Sequence, residues 1–220
     1  MIGLDVFDLD GTLLDTPRAI VTAFATTFEY LGLEERDPRE IRATVGRPLE
    51  DAFALLLGTE RDSPLVGRAV GQYQRVYRER IVPKAAGLLF PGVDKGLRML
   101  ARRGHRLAVA TNKYTESANA LLSGAGIRER FALIVGADAV TRPKPDAEAA
   151  LLISKALGVG PAQAVVVGDT THDLEMARNA GMRSVAVTYG VHAAGQLMAA
   201  EPTWLADSFD AVVDHLLQVR

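Results

Sequence analysis

Two textures divide the chain. From Thr16 to Pro83 the apolar positions keep helical spacing, with Val66, Val70, Tyr73, Tyr77 and Ile81 on one face of the last helix. Thr16-Pro17, Asp37-Pro38, Arg47-Pro48 and Ser63-Pro64 read as helix starts, because Pro suits the first helical position. Gly32 and Gly58 read as stops. No strand pattern interrupts this stretch. From Pro91-Gly92 onward, short apolar runs alternate with helical patterns. The runs are Leu107–Ala110, Leu133–Val135, Ala164–Val167 and Ser184–Val187, and helices fit at 93–103, 115–125, 146–158, 172–180 and 208–218.

Such alternation predicts a parallel sheet covered by helices on both faces. One more apolar run, Leu4, Val6 and Phe7, lies within residues 2–12 and must join that sheet, since a helical unit alone could not bury it. The expectation is an α/β fold, a Rossmann-like doubly wound parallel sheet with an inserted all-helical cap domain. Residues 1–15 and 84–220 would form the core, and 16–83 the cap over the sheet's carboxyl edge. No repeat or low-complexity tract is visible.

Bulk composition adds mainly exclusions. A hydrophobic fraction of 48% and a charged fraction of 24% fit an ordinary globular protein. A net charge of −2 favours neither nucleic acid nor an anionic membrane. No apolar run is long enough to span a bilayer. Met1-Ile2-Gly3 leads directly into the first run without a basic segment or cleavage site, so no leader is expected and the location expected is cytoplasmic. The absence of Cys removes disulfide and thiol chemistry.

Candidate chemistry gathers where the apolar runs end. The first ends in Asp8-Leu9-Asp10-Gly11-Thr12. Residues i and i+2 of an extended segment share a face, so Asp8 and Asp10 should stand side by side. Buried carboxylates that close repel unless a cation or a shared proton relieves them. The run 107–110 ends in Thr111-Asn112, uncharged groups able to donate to a phosphoryl oxygen. Arg142-Pro143-Lys144-Pro145-Asp146 presents a Lys from a loop stiffened by two prolines, with Arg142 as the competing cation. Gly168-Asp169-Thr170-Thr171-His172-Asp173 sets two carboxylates one helical turn apart, a set suited to a hard cation, and also readable as an N-cap with an acidic first turn.

These four motifs, in this order and over essentially the whole chain, resemble the haloacid dehalogenase-like superfamily in its phosphatase branch. The resemblance implies a phosphatase in which Asp8 is the nucleophile and Asp10 the general acid and base. Thr111, the backbone at Asn112 and Lys144 would bind phosphate. Mg²⁺ would be held by Asp8, the Asp10 carbonyl, Asp169 and Asp173. The stretch Thr44 to Glu50, with Gly46 and Arg47, resembles the substrate-reading cap loop of phosphoglycolate-phosphatase-type and pyrophosphatase-type members. The partner implied is a small phosphorylated substrate. One departure is Ala147, where the family usually repeats Pro.

Rival readings differ at named residues. A dehalogenase needs neither Asp10 nor the Asp169 and Asp173 pair. A β-phosphoglucomutase usually carries His at the place of Ile20. A silent phosphometabolite-binding protein would be expected to lack a motif Asp or Lys144. His105 reads as structural, His172 as a helix-start residue that either faces solvent or touches substrate, with solvent favoured, and Trp204 as core packing. Asp5 departs from the usual apolar residue and is expected either exposed at the strand start or paired with an Arg.

Overall fold

The computed structural model of the chain describes residues 3–218. Met1 and Ile2, where the opening stretch begins, lie outside the described residues. Six described strands form one all-parallel sheet: β1 (Leu4–Phe7), β2 (Arg106–Ala110), β3 (Leu133–Val135), β4 (Ala164–Gly168), β5 (Arg183–Val187) and β6 (Trp204–Ala206), in the spatial order β3-β2-β1-β4-β5-β6. β1 is central, with Phe7 beside Val109 on one side and Val167 on the other. The order reverses at β1, so the chain changes direction across the sheet there, and a crevice opens at the carboxyl ends.

The two faces of the sheet follow the period of two. Leu4 and Val6 join Ala108, Ala110 and Val166 under α7 (Glu148–Leu157) and α8 (Thr171–Asn179). Phe7 joins Val109, Val167 and Val185 under α5 (Val93–Arg102), α6 (Thr115–Gly124) and α10 (Phe209–Gln218). Phe7 stacks on Phe209 at 5.9 Å between ring centroids, which anchors α10 to the central strand. Every β1 side chain is buried, so the strand reads as a continuous apolar run apart from Asp5.

Between β1 and β2 come α1 (Pro17–Tyr30), α2 (Pro38–Arg42), α3 (Leu49–Leu57) and α4 (Pro64–Arg80), then a 3₁₀ run over Val82–Leu88. Local chemistry sets their bounds. The Asp37 carboxylate accepts the Arg39 N–H, and the Ser63 hydroxyl accepts that of Leu65, each just before a Pro at the first turn. Gly58 closes α3 in the left-handed region at φ 64°. The stripe Val66, Val70, Tyr73, Tyr77, Ile81 is buried throughout. Tyr73 meets Phe24 at 4.8 Å and Phe24 meets Phe53 at 4.5 Å, an aromatic seam joining α1, α3 and α4.

Two short elements were not expected from the pattern: β6 and α9 (Ala194–Ala199). Trp204 sits in β6, partly buried against the core and stacked on His215. Asp5 is neither exposed nor paired with an Arg. It is 2% exposed, and its carboxylate takes a 2.8 Å hydrogen bond from His105 Nδ1, on the residue before β2. Register places β1 beside β2 so that the two meet, and the pair satisfies a carboxylate that burial would otherwise strand.

Burial pushes the Asp5 carboxyl above its ordinary value, while the Asp5 hydrogen bond, working against burial, raises that of His105. A His raised on folding stabilises below its unfolded pKa near 6.5, and that contribution is lost as pH rises through the higher folded value. His105→Ala is therefore expected to cost about 1–3 kcal/mol near pH 6 and less above pH 8. Urea melts of both proteins at the two pH values check this; an equal loss at both would remove the charged pair from the account.

Candidate active site

Parallel strands deliver their carboxyl ends to one edge, and the motifs collect there. Asp8 follows β1, its N–H bonded to the Val167 carbonyl at 2.8 Å. Gly11 then turns the chain at φ 93°, and a Cβ there would lie 2.3 Å from Asp169 Oδ2. That close approach lets Thr12 donate to Asp169 Oδ1 at 2.8 Å. The other Asp169 oxygen accepts the Val191 N–H at 2.7 Å, from the loop after β5. A Cβ on Gly190 would lie 2.3 Å from that of Asp169, so this loop too needs a residue without a side chain.

Asp8, Asp169 and Asp173 are all buried, and one carboxylate oxygen from each lies within 4.8 Å of the others. Lys144 is 4% exposed and sits among them, its Nζ 2.5 Å from Asp8 Oδ1 and 2.6 Å from Asp173 Oδ1. The second Asp173 oxygen accepts from the backbone and hydroxyl of Thr170 at 3.0 and 2.7 Å. Thr170, not Asp169, is thus the N-cap of α8, in a capping box with Asp173.

Charge is the dominant fact of this cluster. Three carboxylates against one ammonium leave −2 when all are ionised. Burial pushes Asp8 up to about 7; Asp173 and Asp10 add to the rise and Lys144 opposes it. Burial raises Asp169 strongly, with Asp8 and Asp173 adding to it and the Val191 and Thr12 donors opposing. Burial also works against the Lys144 charge, yet Asp173 and Asp8 hold its pKa above the ordinary value. A divalent cation would cancel the −2, and a trio of hard oxygens suits one. The residues present therefore fit a bound metal ion.

Asp10 faces another set of partners. Thr16 donates to its Oδ1 at 2.6 Å, and Lys113 Nζ lies 3.0 Å from its Oδ2. Thr16 stands at the N-terminal boundary of α1 but makes no side-chain cap, because its hydroxyl is spent on Asp10. Lys113 also lies over the Tyr77 ring, 4.2 Å from its centroid. Sequence reasoning missed Thr12, Lys113, Gly190 and Val191. The available signal for Lys113 was its place directly after Thr111-Asn112.

Asn112 ties the loops together. Its side chain accepts the Lys144 N–H at 3.0 Å and donates to the Lys144 carbonyl at 3.1 Å and to the Gly46 carbonyl at 2.8 Å. The bond to Gly46 joins the 44–47 loop to the sheet edge. Gly46, at φ 94°, packs over Thr170 and His172. His172 is half-buried under that loop, not solvent-facing as expected. Thr111 is buried and lines the same cavity as Asp8, Asp10, Gly46 and Arg47. Arg142 is not brought in: its side chain is 71% exposed and pairs with Asp146 and Glu148.

Known proteins resemble this chain over most of its length. A family model described as haloacid dehalogenase-like hydrolase matches residues 6–187. The chain is 50% identical over 210 residues to the probable phosphatase IndB of Dickeya dadantii (strain 3937), across 96% of this chain and 91% of that one. It is 35% identical over 188 residues to a phosphoglycolate phosphatase of Chromobacterium violaceum, across 84% of each. Among solved structures, a haloacid dehalogenase-like family hydrolase from Streptococcus pneumoniae superposes with a TM-score of 0.82 at 29% identity, covering 97% of this chain and 98% of that one.

Proposed function

The chain belongs to the haloacid dehalogenase-like hydrolases, and from that premise we propose that it is a Mg²⁺-dependent phosphatase of small phosphorylated metabolites that works through an aspartyl-phosphate. The observation that carries the reading is the buried trio Asp8, Asp169 and Asp173 with Lys144 among them, a site short of two positive charges. In this reading residues 1–15 and 84–220 form the catalytic core and 16–83 the cap that shields the reaction from bulk water.

The Asp8 carboxylate attacks phosphorus in line, and the bond from phosphorus to the leaving oxygen breaks. Asp10, protonated, gives its proton to that oxygen. Water then attacks the phosphorus of the aspartyl-phosphate and loses a proton to Asp10, which frees phosphate and restores Asp8. Thr16 and Lys113 fix the two Asp10 oxygens during both transfers. Lys144, the Thr111 hydroxyl and the Asn112 N–H bind the phosphoryl oxygens. Asp8, Asp169, Asp173 and the Asp10 carbonyl would hold Mg²⁺, which when bound supplies charge neutralisation between nucleophile and phosphate. Gly46 and Arg47 would meet the leaving group from the cap.

The test is phosphate release from a panel of phosphate esters, with 2-phosphoglycolate and pyrophosphate included, with Mg²⁺ and with a chelator. At least one compound is expected to be hydrolysed, with turnover lost on chelation and restored by Mg²⁺. Undiminished hydrolysis in chelator would overturn the metal assignment. Conversion of a hexose 1-phosphate without release of phosphate would favour a mutase instead.

A further inference from the structure

The stretch that carries Thr111 and Asn112, the phosphate donors of the reading above, also reaches up to the cap. Residues 112–116 touch it at three separate segments. Asn112 Nδ2 donates to the Gly46 carbonyl in the 44–47 loop at 2.8 Å. The Tyr114 hydroxyl donates to Glu50 Oε1, in the first turn of α3. Lys113 lies over the Tyr77 ring of α4, and Glu116 accepts from Arg78 Nη2 of the same helix at 3.3 Å.

From below, the same stretch is fixed to the core. The Thr115 N–H and hydroxyl both donate to Asp138 Oδ1 at 2.7 Å, and the Ala137 N–H donates to the Lys113 carbonyl at 3.1 Å. Asn112 brackets the Lys144 backbone. One short segment is thus bonded at once to the core, to the phosphate site and to the cap.

Its contacts to the cap are unequal. Arg78 and Glu116 are exposed, at 66% and 81% of their side chains, and such pairs add little. Lys113 is committed to Asp10. Tyr114 and Glu50 are both partly buried, and a hydroxyl that donates to a carboxylate makes one of the stronger hydrogen bonds. Arg61 Nη2 stands 4.0 Å from the other Glu50 oxygen. Along the same rim, Arg42 reaches the Gly190 carbonyl only at 3.5 Å.

We infer that Tyr114 and Glu50 are positioning residues that couple phosphate occupancy to cap closure. The closed cap, through Glu50, holds the 111–116 stretch in its phosphate-binding shape. A bound phosphate, through Thr111 and Asn112, holds the stretch in the shape that keeps the cap closed. Coupling of this kind acts equally in both directions. A ligand that favours the closed form loses apparent affinity in proportion as that form is depopulated. The inference rests on the phosphatase reading and its cap, and adds the residues that join the two.

The test titrates orthophosphate in Mg²⁺ and follows backbone hydrogen exchange over residues 44–57 in wild type, Tyr114→Phe, Glu50→Ala and the double variant. In wild type, phosphate should slow exchange there. Tyr114→Phe keeps the ring and loses only the bond, so its Kd for orthophosphate should rise about tenfold. Exchange in its phosphate-bound form should quicken by a similar factor. For the ester cleaved best in the panel above, KM should rise about tenfold while kcat stays within about threefold. Glu50→Ala should weaken phosphate binding as much, and the double variant no more than either single one. The inference is overturned if Tyr114→Phe binds orthophosphate as wild type does, if the two losses add, or if only kcat and melting temperature fall, which is what a purely structural Tyr114 would give. If orthophosphate neither binds wild type nor slows its exchange, the phosphatase reading fails as well.

Discussion

Asp8→Asn should lower kcat by at least about 10⁴ while leaving the protein folded. Loss of a nucleophile removes the covalent route, and the residual rate is what binding and electrostatics alone supply. The fold should survive because the exchange is nearly isosteric and the amide oxygen can still accept from Lys144. Stability supplies the second readout. Asp8 is held at about 7 in the folded chain, against an unfolded value of 3.8. The native state therefore binds its proton more tightly, and this group's contribution to stability falls as pH rises from about 4 to about 7. Above pH 7 the ionised, buried carboxylate opposes folding by roughly 2–4 kcal/mol in the metal-free protein. Asp8→Asn removes that opposition, so in chelator at pH 8 its melting temperature should equal or exceed wild type. Mg²⁺ should then raise the melting temperature of wild type more than that of the variant. Turnover within tenfold of wild type would sink the covalent mechanism.

Why these carboxylates were legible in the chain, and their supporting contacts were not, has a physical reason. Asp8 and Asp10 follow from the two-residue period at a strand end, and Asp169 with Asp173 from one helical turn; both are local spacings. The contacts that fix them are not local. Thr12 reaches Asp169 across 157 residues, Val191 across 22, and His105 reaches Asp5 across 100. Each depends on strand order, which hydrophobic periodicity does not encode. Lys113 looked like any loop Lys because its value lies in Asp10, a carboxylate in the turn past the end of the neighbouring strand β1. β6 has three residues and α9 six, too few for a period to register. Tyr73 and Tyr77 were read as a buried stripe and are buried, but the stripe reports burial without saying what lies opposite. Here one side of it packs on Phe24 and Phe53 and the other faces the cavity.

Lys144→Met should be the more damaging substitution for the fold, and its damage should depend on pH and metal in a stated direction. The Lys144 ammonium is buried and bonds both Asp8 and Asp173. Met fills similar volume, so the change isolates charge from packing. Without the ammonium, Asp8, Asp169 and Asp173 face one another uncompensated, and breaking a buried pair costs about 3–5 kcal/mol. For a chain of this size that is a melting-temperature drop of about 10 °C or more at pH 8 in chelator. Lowering the pH lets the raised carboxyls of Asp8 and Asp169 take up protons, so the deficit should shrink toward pH 5. Mg²⁺ should restore more stability to the variant than it adds to wild type, because it supplies the charge the variant has lost. Restored stability should not restore catalysis: kcat/KM should stay down about 10³-fold or more, since the dication cannot also replace a donor to the phosphoryl oxygens. If the variant melts like wild type at pH 8 in chelator, the charge balance assigned to this edge is wrong. If metal rescues stability and activity together, Lys144 serves the fold alone and the phosphate site must be drawn without it.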